Sequence, residues 1–328
     1  MNERRLGKTD ISITPIGLGC WQFQQGKGMT GNMWSPLNQA SMDEIVGAAL
    51  RGGVSWFDTA QAYGNGASER ALATALQHSG IEPGRVAIAT KWLPILKTAG
   101  DITKTIGTRV ECLAPYPIDL FQVHIPWSVS SVKAQMHEMA ELVRAGKVRA
   151  VGVSNFSASR MAKAGAALEA EGLPLASNQL HINLLDRSIE SNGVLDLARR
   201  AGVTLIAYSP LAQGVLTGRF HADPARVKSL SWSRRSRMTP SSRYLTKDGL
   251  KRSAPLIEEL RDVAAEHGVT PAQVALAWLV TYYGDTVVAI PGASRAEQAA
   301  ESAGAIDLQL TEAEMRRIDR LSAAAGAR

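Results

Sequence analysis

Four residues that can carry charge or pass a proton stand at or just beyond the ends of short apolar runs. Asp58 ends the apolar part of "VSWFDTA", Lys91 that of "VAIATKW", and His124 that of "IDLFQVH"; Tyr63 follows Asp58 by five positions in the glycine-rich "YGNG". Singly each has a structural reading: a turn cap, a snorkelling lysine, a satisfied core histidine, a loop aromatic. Brought to one place they form a titratable cluster in which a carboxylate and an ammonium, each costly alone in a partly dry pocket, compensate one another. Polar residues recur at the ends of later runs: Ser154 and Asn155, Gln179, and Tyr208 with Ser209. Lys91 could also serve as the Schiff-base nucleophile of a lyase or aldolase.

Such residues converge only if parallel neighbouring segments carry them. Eight apolar, β-branched runs supply candidates: "IGLGCW", "VSWFDTA", "VAIATKW", "IDLFQVH", "VRAVGVSN", "ASNQLHI", "TLIAYSP" and "TVVAIPG". Helical patterns alternate with them, among them "SMDEIVGAALRGG", with a Ser41/Glu44 capping box, and "TEAEMRRIDRL", with a Thr311/Glu314 box. Strands apolar almost throughout and each followed by a helix imply a parallel sheet covered on both faces. Eight units in one chain fit an α/β fold of the closed (β/α)8 TIM-barrel type, whose sites lie at the C-terminal ends of the strands. The opening "RRLGKTDISITP" reads as a β-hairpin plugging the barrel bottom, and with no linker in view residues 1–328 are expected to form one domain with a long basic loop at about 219–250. "GKGMTG" (Gly26, Gly28, Gly31) matches G-x-G-x-x-G, but "NMWSPLNQA" separates it from the next helix, so it reads as chance loop composition rather than a dinucleotide fingerprint.

The 328 residues are 45% hydrophobic and 20% charged, as in an ordinary globular protein. No run of eighteen apolar residues and no signal-like h-region are present, so a cytoplasmic protein without a membrane partner is expected. Cys20 and Cys112 are too few for a disulfide framework and lack zinc spacing, so no metal is expected. The net charge of +6 concentrates only in "RVKSLSWSRRSRMTPSSRYLTK" (Arg226 to Lys247). No nucleic-acid motif accompanies it, and an anionic ligand or a solvated surface loop is preferred to nucleic acid.

Across nearly its whole length the chain resembles the aldo-keto reductases, in "LGKTDISITPIGLGCW", "FDTAQAYGNGASE", "ATKW", "IDLFQVH", "AGKVRAVGVSNF", "AYSPLAQGVLTGRF", "PAQVALAWLV" and "IPGASRAEQ". The resemblance implies reduction of a small carbonyl compound by a nicotinamide nucleotide, with Asp58, Tyr63, Lys91 and His124 as the catalytic tetrad. Hydride addition builds charge on the carbonyl oxygen, and a positioned donor must protonate it. By that resemblance Tyr63 is the donor, its phenol eased downward in pKa by the Lys91 ammonium. Asp58 holds Lys91, and His124 orients the oxygen. Gly64 and Gly66 let Tyr63 turn back over the strand ends.

The same resemblance implies a cofactor site of NADPH/NADP+, with NADH as the other candidate. Cys20, Trp21 and Asp58 border it, Ser154, Asn155 and Gln179 hold the carboxamide, Tyr208 stacks on the ring, and Ser209, Leu211, Gly214, Leu216 and Gly218 wrap the pyrophosphate. Ile290, Gly292, Ser294, Arg295, Gln298 and Ser302 match the adenosine segment. Arg295 is there the cation for a 2′-phosphate; Gly292 stands where some relatives carry a lysine, and Ser302 where an asparagine is common. Trp21, Trp92 and Trp127, with Tyr63 and His124, are expected to line an aromatic substrate mouth. His181, Arg187 and the basic loop would add affinity for an anionic substrate. A sugar, a vitamin aldehyde such as pyridoxal and xenobiotic carbonyls stay open, as do a monomer and a weak homo-oligomer. The other function class is a regulatory, redox-sensing subunit that binds the nucleotide and turns over little.

Overall fold

The computed structural model describes residues 3–26, 34–232 and 240–326. Each of the eight apolar runs becomes a strand: β3 (Leu18–Gly19), β4 (Trp56–Asp58), β5 (Ala87–Trp92), β6 (Ile118–Val123), β7 (Val148–Ser154), β8 (Ser177–His181), β9 (Thr204–Tyr208) and β10 (Val287–Ile290). They pair in parallel in chain order, and the bridges Ile16↔Ala289 and Gly19↔Gly292 join the first to the last and close the ring. Between the strands run α1 (Gln39–Arg51), α2 (Ala67–His78), α3 (Asp101–Leu113), α4 (Val132–Arg144), α5 (Ala158–Glu169) and α6 (Val194–Ala201). After β9 come α7 (Arg219–Ala222), α8 (Lys247–His267) and α9 (Pro271–Tyr282), and after β10 come α10 (Ala296–Ala303) and α11 (Glu312–Gly326). The architecture is the expected (β/α)8 barrel.

The pleat alternates side chains between the two faces, and this sorts the chain into two apolar clusters. Residues facing the helices form the larger one, while Trp56, Ala89, Leu120, Ala150, Ile206 and Val288 fill the barrel interior. The hairpin β1 (Arg4–Arg5) and β2 (Ser12–Ile13) closes the bottom of that interior with Leu6, Ile11 and Ile13. Burying each of these contributes roughly 1.5–3 kcal/mol. Two hydrogen bonds fix its place, Gly7 N to Thr204 Oγ1 at 2.7 Å and Trp56 Nε1 to Thr14 O at 2.9 Å.

Two local expectations change. Asn38, not Ser41, caps α1: its side-chain oxygen accepts from Ser41 N at 2.8 Å, so the helix starts two residues before Ser41. Thr311 and Glu314 do form their reciprocal box. The stretch 219–250 is not a plain loop, since α7, 3₁₀ turns at Pro224–Ser229 and Pro240–Leu245, and the start of α8 occupy much of it. Gly28, Gly31 and residues 233–239 of the basic stretch lie outside the described residues.

Candidate active site

Above the apolar interior layer the same alternation points polar residues inward. Asp58 lies two residues after Trp56, Lys91 two after Ala89 and Gln122 two after Leu120, so one turn of the pleat converts an apolar floor into a charged one. Lys91 Nζ donates to Asp58 Oδ1 at 2.5 Å and to Thr59 O at 2.8 Å, and both side chains are buried. Gln179 Nε2 and Gln122 Nε2 donate to the other carboxylate oxygen, Asp58 Oδ2, at 2.8 and 3.4 Å. Asp58 is thus pinned from three strands. Gln122 escaped the sequence reading, although its inward phase, two residues before His124, was a signal for it.

Tyr63 covers this pair. Its ring centroid lies 5.3 Å from Lys91 Nζ, edge-on to His124 at 5.7 Å and stacked on Trp21 at 5.9 Å. Gly64 makes the turn: its φ is +70°, and a Cβ there would come within 2.6 Å of the Gln24 carbonyl. Burial, then the Asp58 charge, pushes the Tyr63 phenol well above its usual range. The expected downward shift is therefore corrected: dehydration dominates and the Asp58 charge acts in the same direction. Burial and the Lys91 charge lower His124 to about 3, and its Nδ1 is buried without a hydrogen-bond partner.

These groups open into a cavity of about 1020 Å³. Of the sequence candidates Cys20, Trp21, Asp58, Tyr63, His124, Ser154, Asn155, Gln179, Tyr208, Ser209, Leu211, Gly214, Ile290, Gly292, Ser294, Gln298 and Ser302 line it. Tyr208 donates to Asn155 Oδ1 at 3.1 Å, and Asn155 Nδ2 donates to His124 O at 3.2 Å, so the side wall is tied to the floor. Asn155, Ser209 and Gln213, all on the wall, hold φ near +50 to +61°, a backbone strain typical of functional sites. Leu216 and Gly218 lie outside the lining: Leu216 is fully buried, and Gly218 is the N-cap of α7.

Other placements differ from expectation. Trp92 is in the core, its Nε1 donating to Asp101 Oδ2 at 2.8 Å, because β5 turns that side chain toward α3. Trp127 is 69% exposed and outside the cavity lining. The mouth is formed instead by Trp21, Trp34, Pro36, Leu37, Leu93 and Ile95. His181 is taken up by Asp186 at 2.8 Å and Ser241 at 3.0 Å, and Arg187 by Glu190, Asp319 and the rings of Trp278 and Tyr282, so neither is free for an anionic substrate.

Among the described residues, the cation lining the far end is Arg219 rather than Arg295. Burial, then the charges of Arg226 and Arg295, lowers its pKa. Arg219 lies against Gly214, whose φ is +92° and whose missing Cβ would have met the guanidinium at 2.5 Å. The sequence signal was a basic residue straight after the glycine-rich "QGVLTG". Gln22 and Glu301 also line the cavity and were missed.

The family model for the Aldo/keto reductase family matches residues 15–323. An uncharacterized oxidoreductase of Mycobacterium bovis is 36% identical over 301 residues, covering 91% of this chain and 86% of the relative. The chloroplastic pyridoxal reductase of Arabidopsis thaliana is 29% identical over 330 residues, covering 94% and 83%. Among solved structures, a glycerol dehydrogenase from Gluconobacter oxydans superposes with a TM-score of 0.81 at 25% identity, covering 99% of this chain and 97% of that one.

Proposed function

The chain belongs to the aldo/keto reductase family, and from that premise we propose that it reduces an uncharged, largely apolar aldehyde or ketone to the alcohol, with NADPH as the preferred hydride source. The observation that carries this reading is the buried Asp58–Lys91 pair roofed by Tyr63 and flanked by His124. The cavity suits a nicotinamide nucleotide: amides of Asn155 and Gln179 beside the floor, the Tyr208 ring on the wall, and arginines at the far end. When bound, the nicotinamide supplies the hydride.

The remaining steps fall to the chain's own groups. Burial keeps Tyr63 protonated, which is the state a general acid needs, and its hydroxyl gives the proton to the carbonyl oxygen as charge builds there. The phenolate left behind is stabilised by Lys91, whose ammonium Asp58, Gln122 and Gln179 hold in place indirectly or directly. His124 stays neutral through the physiological range and offers a ring nitrogen to orient the carbonyl without adding a second cation. A Schiff base at Lys91 is disfavoured, because its nitrogen is buried and already donates to Asp58 and Thr59.

The apolar mouth supports the substrate class, and the cluster of Arg219, Arg226 and Arg295 supports NADPH over NADH. A panel of neutral and carboxylated aldehydes, assayed by nucleotide absorbance with NADPH and NADH, tests both. Neutral aromatic aldehydes with NADPH should turn over fastest. Oxidation of neither nucleotide would overturn the reading, and faster turnover with NADH would overturn its coenzyme part.

A further inference from the structure

Helix α2 begins at Ala67, and its N-cap is Gly66, which has no side chain to offer the first turn. Two of the first-turn N–H groups bond back into the loop that carries Tyr63, Ala67 N to Gly64 O at 3.2 Å and Ser68 N to Tyr63 O at 3.1 Å. The Ser68 side chain is fully buried outside the cavity lining, and its Oγ lies 2.7 Å from Cys20 O and 2.8 Å from Thr59 Oγ1. A carbonyl only accepts, so the one Ser68 proton goes to Cys20 O and the Thr59 hydroxyl must donate to Ser68. Thr59 is fully buried as well; its N–H donates to Ala89 O at 2.8 Å, and its carbonyl accepts from Lys91 Nζ at 2.8 Å. Cys20 N donates to Asp58 O at 2.8 Å. Ser68 thus closes a ring of hydrogen bonds around the Asp58–Thr59 peptide, whose two residues are the partners of Lys91.

We propose that Ser68 is a positioning residue for proton transfer: through the Thr59 hydroxyl it fixes the Thr59 carbonyl, and that carbonyl, together with Asp58, sets the rotation of the Lys91 ammonium. The inference rests on the reading that Tyr63 gives up its proton beside Lys91. An ammonium has three N–H donors. Asp58 and Thr59 take two of them from fixed directions, so the direction of the third, which remains for the Tyr63 phenolate, is fixed with them. A carbonyl free to swing would let Nζ rotate, keeping the charge near the phenolate while turning the donor away. Because Ser68 is buried outside the lining, its effect belongs to turnover and not to binding.

Steady-state kinetics with a neutral aldehyde, NADPH titration by tryptophan fluorescence and thermal melting test this on wild type, Ser68→Ala, Thr59→Val, their double variant, Thr59→Ser and Thr90→Val. Ser68→Ala and Thr59→Val should each lower kcat about 10- to 100-fold, the order of loss for a catalytic group misplaced by about 1 Å, with KM and NADPH affinity unchanged. The double variant should lose no more than the larger single loss, because both changes cut one link. Thr59→Ser keeps the hydroxyl and should stay close to wild type. Thr90→Val removes another buried hydroxyl, bonded to Glu69 Oε1 at 2.6 Å, and should lower the melting temperature while leaving kcat intact. Unchanged kcat in folded Ser68→Ala or Thr59→Val, a loss carried by KM or NADPH affinity, additive losses in the double variant, or an equal loss in Thr90→Val overturns the inference, while wild-type turnover preserves the functional reading. If Ser68→Ala does not fold, Thr59→Val against Thr59→Ser decides. A wild type that oxidises no NADPH overturns both.

Discussion

The floor and the far end of the cavity treat charge in opposite ways. At the floor Asp58 meets Lys91, Gln122 and Gln179 at once, and the ion pair is complete before anything binds. At the far end Arg219, Arg226 and Arg295 approach one another closely enough that their mutual repulsion adds to burial in depressing Arg219. A balanced pair suits bond-making, where the electrostatics must be fixed in advance. Like charge offset only in part, by the exposed Arg226–Asp223 pair, suits capture of a polyanion, whose arrival relieves the repulsion. The two ends should therefore respond differently to mutation: the floor through stability and turnover, the far end through affinity and salt.

The largest effect is expected at the floor. Lys91→Met leaves Asp58 buried without its cation and should destabilise the fold by about 3–5 kcal/mol, read by urea denaturation. A loss well below that would show that Gln122 and Gln179 suffice to hold the carboxylate. Acid pH probes the same region through His124. Its pKa in the fold is about 3 against 6.5 unfolded; between those values the unfolded chain binds a proton that the folded chain does not. His124 therefore contributes stability that is full above pH 6.5 and lost as the pH falls toward 3. His124→Gln should remove part of that acid limb, on the order of one to a few kcal/mol, with the difference seen in melting temperatures between pH 7 and 4. Parallel profiles would mean that the ring protonates freely in the fold.

At the far end, Arg219→Ala should weaken NADPH by about 1.5–3 kcal/mol, the worth of a charge-assisted contact, and NADH less. Arg295→Ala should cost under about 1 kcal/mol, because that side chain is exposed and screened. Isothermal titration at low and high salt separates them; an Arg295 effect larger than that of Arg219 would restore the assignment expected from sequence. The smallest effect is at Trp127, whose truncation to Ala should change stability by no more than about 0.5 kcal/mol and leave KM for an aromatic aldehyde unmoved.

The barrel was legible because its signal is periodic. Eight apolar runs alternating with helical patterns specify a parallel closed sheet, and polar residues at run ends mark the face that carries the candidate site. Asp58, Lys91 and His124 were found by that phase, and Gln122 could have been. The mouth was not legible, because whether a tryptophan after a strand faces the cavity or a helix depends on one residue of pleat: Trp92 falls outward to Asp101, whereas Trp21 leaves β3 in a 3₁₀ turn that swings it over Tyr63. Nor was the direction of the Tyr63 shift legible, since it depends on how much water the packed site excludes and on how near the Asp58 charge lies. Arg219 follows "QGVLTG" and Gln22 lies in the turn after β3, but nothing in their spacing tells which residues of those segments face the cavity.

In the proposed reaction Tyr63 delivers the proton over a floor built independently of nucleotide capture. The most direct measurement compares Tyr63→Phe with wild type for turnover of a neutral aldehyde and, separately, for NADPH affinity by fluorescence titration. The substitution should lower kcat by about 10²–10⁴-fold, the usual worth of a general acid, with the NADPH dissociation constant unchanged. Retention of more than about a tenth of wild-type kcat, far outside that range, would contradict it.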